Sequence, residues 1–202
     1  MAVTINNICA YISPGNVYVG AQVPAPLHSL GEEAHLSADG VPSGGTHVGA
    51  TTGEAVYRYS ATVETVDIEQ STFGVCPHVT AEEATLEFTV AEATAENIKR
   101  AIGQGFLRDF TGPDSLTGKV ISVGGLTDVT GTSICVISEK KNDPGRYCGA
   151  MIYNAYNDAG LERRFKKGEA TFITMTFRGI ASTATLDRPA GDQLGQYFEQ
   201  NA

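Results

Sequence analysis

The sequence has no tryptophan, only 8% aromatic residues, and no apolar run longer than a handful of residues. A membrane-spanning helix needs roughly 20 consecutive apolar residues, so that class is excluded. The N-terminus lacks the basic-then-apolar pattern of a signal peptide, which leads us to expect synthesis in a reducing cytoplasm without an encoded secretion route. The four cysteines, Cys9, Cys76, Cys135 and Cys148, stand too far apart for a CxxC zinc or redox motif or a dense disulfide framework, so reduced, partly buried thiols are expected. Basic charge is also scarce, at 14 Lys and Arg against 23 Asp and Glu, a formal charge of -9. A groove that grips nucleic acid neutralises phosphates with Lys and Arg, so this composition argues against one.

Catalytic patterns are missing as well. No GxSxG occurs, and neither Gly44-Gly45 nor Gly124-Gly125 is followed by GK[ST], so these glycine pairs read as turns. His28, His35 and His47 have spacings that match no zinc pattern. In Cys76-Pro77-His78 thiol and imidazole are close in sequence but not positioned to pair. No nucleophile, base and oxyanion donors can be assembled, so the expectation is a non-enzyme with no cofactor and no metal.

The acidic charge is unevenly placed. Residues 1–53 hold three acids and no base, and residues 97–202 hold 11 acids and 13 bases, whereas 54–96 hold nine acids against Arg58 alone. Within that middle segment Tyr57, Tyr59, Ala61 and Val63 alternate with Arg58, Ser60, Thr62 and Glu64, the period of a strand with one dry face. The parity then slips to Val66 and Ile68, as a β-bulge near 64–65 would require. One long bent strand over about 55–70 is expected. Ala84, Leu86, Phe88 and Val90 repeat the alternation, and turn residues between the two runs make them antiparallel partners. Glu64, Asp67, Glu69, Glu83 and Glu87 then share one surface.

Residues 94–103 read as a short helix, with Thr94 as N-cap, Glu96 in the first turn, Lys99 and Arg100 near the end, and Gly103 as terminator. Further strands are expected at 119–123, 132–138, 146–153 and 170–181, separated by Gly, Asn and Asp turns. Residues 24–53, rich in Pro and Gly, read as a long loop, and 187–202 as a polar tail carrying Leu194, Tyr197 and Phe198. The whole is one domain, mainly β, a β-sandwich or barrel-like fold with one short flanking α-helix and a long extended loop.

Two segments resemble the tail tube (major tail) proteins of long-tailed bacteriophages. These are Val48-Gly-Ala-Thr-Thr-Gly-Glu-Ala-Val56, a glycine-punctuated entry into the long strand, and the strand-to-helix run 83–103 with its E-x-T-x-E-N-[IL]-x-x-A-[IL]-G pattern. The order of parts agrees too: long loop, acidic strand, second strand, one helix, more strands, polar tail. The resemblance implies a subunit of hexameric rings that self-assemble into the tube conducting DNA during ejection. It is made in the bacterial cytoplasm and works in the virion beside tape measure, tail terminator and baseplate proteins. With roughly four strands from each of six subunits, an inner barrel would have a backbone diameter of about 48 Å, wide enough for a duplex. DNA would pass without specific binding, and Glu64, Asp67, Glu69, Glu83 and Glu87 would line the lumen. The loop 24–53, with His35, Leu36, Val41 and Val48, would contact the next ring, as would the C-terminal arm 187–202 with Leu194, Tyr197 and Phe198.

Two alternatives remain at this level. One is another virion β-sandwich subunit of the tail-completion, baseplate or decoration kind. The other is an acidic β-sandwich module binding carbohydrate or peptide at a concave site around Tyr147, Tyr153 and Tyr156.

Overall fold

The computed structural model describes residues 15–32, 34–66, 75–103, 105–125, 128–141, 143–162 and 171–200. Asp67 and Glu69 of the acidic set, Cys9 and the Cys76 side chain lie outside what is described. The chain is mainly β and its sheets are antiparallel. The strands are β1 (Asn16–Val19), β2 (Thr46–His47), β3 (Thr51–Val66), β4 (Val75–Val90), β5 (Gly105–Thr111), β6 (Thr117–Val123), β7 (Thr132–Glu139), β8 (Tyr147–Asn157), β9 (Ile173–Gly179) and β10 (Gly195–Glu199). Helix α1 spans Ala95–Ile102, and a single helical turn, α2, spans Thr183–Leu186. No helix among the described residues is long and apolar enough to cross a membrane.

The main sheet runs β2-β1-β7-β8-β9-β4-β3. β8 meets β7 along one edge, and its other edge is shared by β10 over Cys148–Ile152 and by β9 over Ala155–Asn157. Side chains from opposite ends of this sheet meet in one core: Val17 and Val19 of β1 pack with Ile134, Ile152, Phe177, Met175 and Phe88. The sheet must therefore curl around that core. Burying each of the large side chains contributes about 1.5–3 kcal/mol.

Alternation sends Cys135, Ile137, Met151 and Tyr153 to the opposite face of β7 and β8. There they form a second core with Tyr18, Leu30, Leu36 and Phe198. The long loop is thus a cover, packed over the outer face of the sheet. Gly40 shows how closely it packs, because its φ of 72° needs glycine and a Cβ there would strike the Tyr147 ring at 2.3 Å. The Tyr147 hydroxyl donates to the Ala38 carbonyl at 3.1 Å. The C-terminal segment is likewise folded onto the sheet, with Phe198 buried and Gln200 donating to the Gly31 carbonyl at 2.6 Å.

Helix α1 begins and ends as its sequence dictates. The Thr94 hydroxyl accepts from the Asn97 amide at 3.2 Å, and Gly103 closes the helix at φ 73°. Asn97 is itself buried, and its side-chain amide donates to the carbonyls of Val48 (2.7 Å) and Glu92 (2.9 Å), tying the loop to the helix.

Two of the three register shifts in the β3–β4 pair occur where the parity slips, but there the extra residues are on the other strand. Thr62 faces Ala81 and Val63 faces Val79, leaving Thr80 as the inserted residue, and a second shift follows between Glu64 and Val66. The strands β5 and β6 form a separate two-stranded sheet beside α1. β1, β2, β5 and β10 have no counterpart in the sequence reading.

Candidate functional site

β9 supports β4 only over Thr85–Val90, so the outer part of the β3–β4 hairpin, residues 59–66 and 75–84, projects past the body of the sheet. β3 is the last strand in the order, and among the described residues both long edges of this projection carry backbone donors and acceptors without strand partners. The hairpin has two unlike faces. Register places Val56 opposite Glu87, Arg58 opposite Thr85, Ser60 opposite Glu83 and Glu64 opposite His78, all on one polar face. The other face carries Tyr57 opposite Leu86, Tyr59 opposite Ala84, Ala61 opposite Glu82 and Val63 opposite Val79.

The structure brings Glu64, Glu83 and Glu87 to one exposed face, as the alternation implied, but their charge is partly compensated. Arg58 pairs with Glu87 at 2.9 Å. Arg178, set beside β4 by its place opposite Thr85 in β9, reaches Glu83 at 2.9 Å and Asp158 at 3.5 Å. Glu64 makes no ion pair among the described residues. These pairs are half-exposed, and such pairs contribute only about 0–1 kcal/mol each. Their main effect is on the field: the face remains acidic, though less so than nine acids against one arginine suggests.

The remaining expected site residues are scattered. Val48 and Leu36 are buried in the first and second cores of the chain, while Val41 is exposed and His35 half-buried in the covering loop. Leu194 packs against the first core, Phe198 fills the second, and Tyr197 faces solvent. His28 lies 3.0 Å from Glu32, and His47 packs edge-on against Tyr18 with ring centroids 5.1 Å apart. Among the described residues no group of three or more His, Cys, Asp or Glu side chains could hold a metal ion. Cys135 and Cys148 are buried and free, and burial pushes the Cys135 thiol up to about 12, so it stays protonated and unreactive at neutral pH.

The three tyrosines proposed for a concave aromatic site do not form one. Tyr147 lies against Gly40, Tyr153 is buried beneath Arg188, and Tyr156 lies opposite Arg178 at the end of β8. A cleft of about 730 Å³ does open between α1, the base of β5 and the ends of β7 and β8, with Arg100, Glu96 and Asn157 in its lining. Its polar groups serve the fold: Arg100 donates to Asn97 (2.8 Å), Glu96 pairs with Lys119 (2.5 Å), and Asn157 accepts from the Thr176 amide (2.9 Å). The side chains missed by the sequence reading are Arg178, Glu82 and the outer face of β5–β6. Only long-range pairing places Arg178 among the carboxylates. Comparison with protein-family models and with curated proteins matches none to this chain.

Proposed function

We propose that this chain is a non-enzymatic, self-assembling structural subunit of the tail-tube type, which stacks as rings into a conduit for phage DNA in the virion. The observation that carries the reading is the projecting β3–β4 hairpin. A hairpin of this length, whose long edges have no strand partner among the described residues, is a template for pairing with another chain, and closure into a ring removes those edges. The acidic polar face fits an inner wall, because a basic wall would hold phosphates that must be released at every step. The resemblance of residues 48–56 and 83–103 to tail tube proteins points the same way and supplies the hexameric ring and the neighbouring tape measure, terminator and baseplate proteins. In this reading Val41 of the loop and Tyr197 of the C-terminal segment, both exposed, meet the next ring.

The lumen assignment is tested by Glu64→Lys combined with Glu87→Lys. Glu64 is exposed and Glu87 half-exposed in a surface ion pair, so subunit stability should change by less than about 1 kcal/mol. The expected outcome is tubes of normal appearance with impaired DNA delivery, scored as infectivity per assembled particle. Unchanged infectivity would remove these carboxylates from the conduit.

A further inference from the structure

The β5–β6 hairpin is an anomaly in a folded subunit, since an isolated two-stranded sheet is marginal in water without something covering a face. One face has a cover. Gly105, Leu107, Asp109 and Lys119 share the side on which Lys119 reaches Glu96 of α1 at 2.5 Å. The opposite face carries Phe106, Arg108 and Phe110 of β5 with Val120 of β6. Phe106 is 67% and Phe110 41% exposed, even with the Phe110 ring lying over Gly118. Arg108 makes no ion pair among the described residues.

The apolar face of the β3–β4 projection has the complementary character. Tyr59, Val63 and Val79 are 54%, 56% and 54% exposed. In their midst Glu82 accepts a hydrogen bond from the Tyr59 hydroxyl. One surface is thus an apolar patch around a single cation, and the other an apolar patch around a single carboxylate. Since both are exposed, they are not buried against each other within one subunit.

We infer that the outer face of the β5–β6 hairpin docks on the apolar face of the β3–β4 projection of a second copy, with Arg108 of one copy against Glu82 of the next. The inference rests on the self-assembly reading above and names the surfaces it uses. Such a contact joins different patches on the two copies, so it is heterologous and propagates into a closed ring or an open filament. Its composition also matches the centre of an interface, where aromatic residues and arginine carry most of the binding energy.

The test uses sedimentation velocity of the full chain over a range of concentrations, with far-UV circular dichroism to check folding. Arg108→Glu and Glu82→Arg are each expected to raise the concentration needed for assembly by at least ~10-fold. An equimolar mixture of the two should restore assembly, because alternating copies make one exchanged pair and one native pair. Phe110→Ser supplies a second, uncharged disruption should either charge variant fail to fold, and the same loss is expected. If the wild-type chain assembles and the folded variants assemble equally well, the inference is overturned while self-assembly stands. If both variants disperse but the mixture stays dispersed, the pairing of these two surfaces is overturned. A wild-type chain that is monomeric at every concentration overturns the inference together with the reading on which it rests.

Discussion

Phe88→Ala is expected to lower the unfolding free energy by about 4 kcal/mol, the larger end of core truncations, and the melting temperature by roughly 10 °C. Phe88 is fully buried near the C-terminal end of β4, where that strand is flanked by β3 on one side and β9 on the other. Its ring stacks on that of Phe177, with centroids 6.0 Å apart and planes within 6°. Rigid strands surround the site, so the space left by the ring cannot readily collapse. Phe88→Leu, which keeps most of the volume, should cost only about 1 kcal/mol. Urea titration of both variants checks this. An alanine variant within ~1 kcal/mol of wild type would contradict a core shared between the ends of a curled sheet. The consequence reaches assembly, since β4 runs directly from Phe88 into the projection that carries Glu82 and Val79.

Arg188→Ala is the second large loss, expected at about 3 kcal/mol and roughly 10 °C. The guanidinium is buried and acts as the junction between the covering loop and the C-terminal segment. It donates to the carbonyls of Pro24 (2.7 Å) and Asp192 (2.7 Å), pairs with the Asp192 carboxylate at 2.8 Å, and lies 4.2 Å from the centre of the Tyr153 ring. Asp192 in turn accepts from the Tyr153 hydroxyl at 2.5 Å and from the Leu27 amide at 3.0 Å. Removing Arg188 leaves buried carbonyls and a partly buried carboxylate without their donor. Lysine cannot reproduce the fork, so Arg188→Lys should recover less than half of the loss. Thermal unfolding measures both variants, and an alanine variant as stable as wild type would show that the loop does not depend on this junction.

The same junction has a defined response to acid. Burial opposes ionisation of Asp192, but the Tyr153 hydroxyl, the Leu27 amide and the Arg188 guanidinium outweigh it and hold the carboxyl below the usual aspartate range. A carboxyl with a depressed folded pKa contributes stability that is fully present above its unfolded value and is lost as pH falls through its folded value. The stability gap between wild type and Asp192→Asn should therefore be full at neutral pH and close below the ordinary aspartate range.

Local chemistry was legible in the sequence, and long-range placement was not. The Thr94 and Gly103 caps define α1 because the groups they satisfy lie within one turn. The alternation of Tyr57 to Val63 and of Ala84 to Val90 gives both strands and their antiparallel pairing, but only β4 has a buried face, whereas on β3 Tyr57 is half-buried and Tyr59 and Val63 are exposed. The same alternation brings Glu64, Glu83 and Glu87 together. β5 escaped detection because its projecting face is apolar and exposed, so Phe106, Arg108 and Phe110 show no contrast of burial with polarity. β1 has only four residues, and β10 lies in a polar segment whose anchor is the single buried Phe198. The loop reads as uncommitted because Leu30 and Leu36 are buried by partners far along the chain, and Pro24 and Ala25 are fixed by Arg188 from more than 160 residues away. Arg178, which moderates the acidic face, reaches Glu83 across a strand pairing that no local pattern announces.

Self-assembly is the central claim, and negative-stain electron microscopy of the purified chain over a range of concentrations tests it most directly. The account predicts rings or hollow filaments whose abundance rises with concentration and whose central channel admits a DNA duplex. A field of uniform single subunits at every concentration would contradict it.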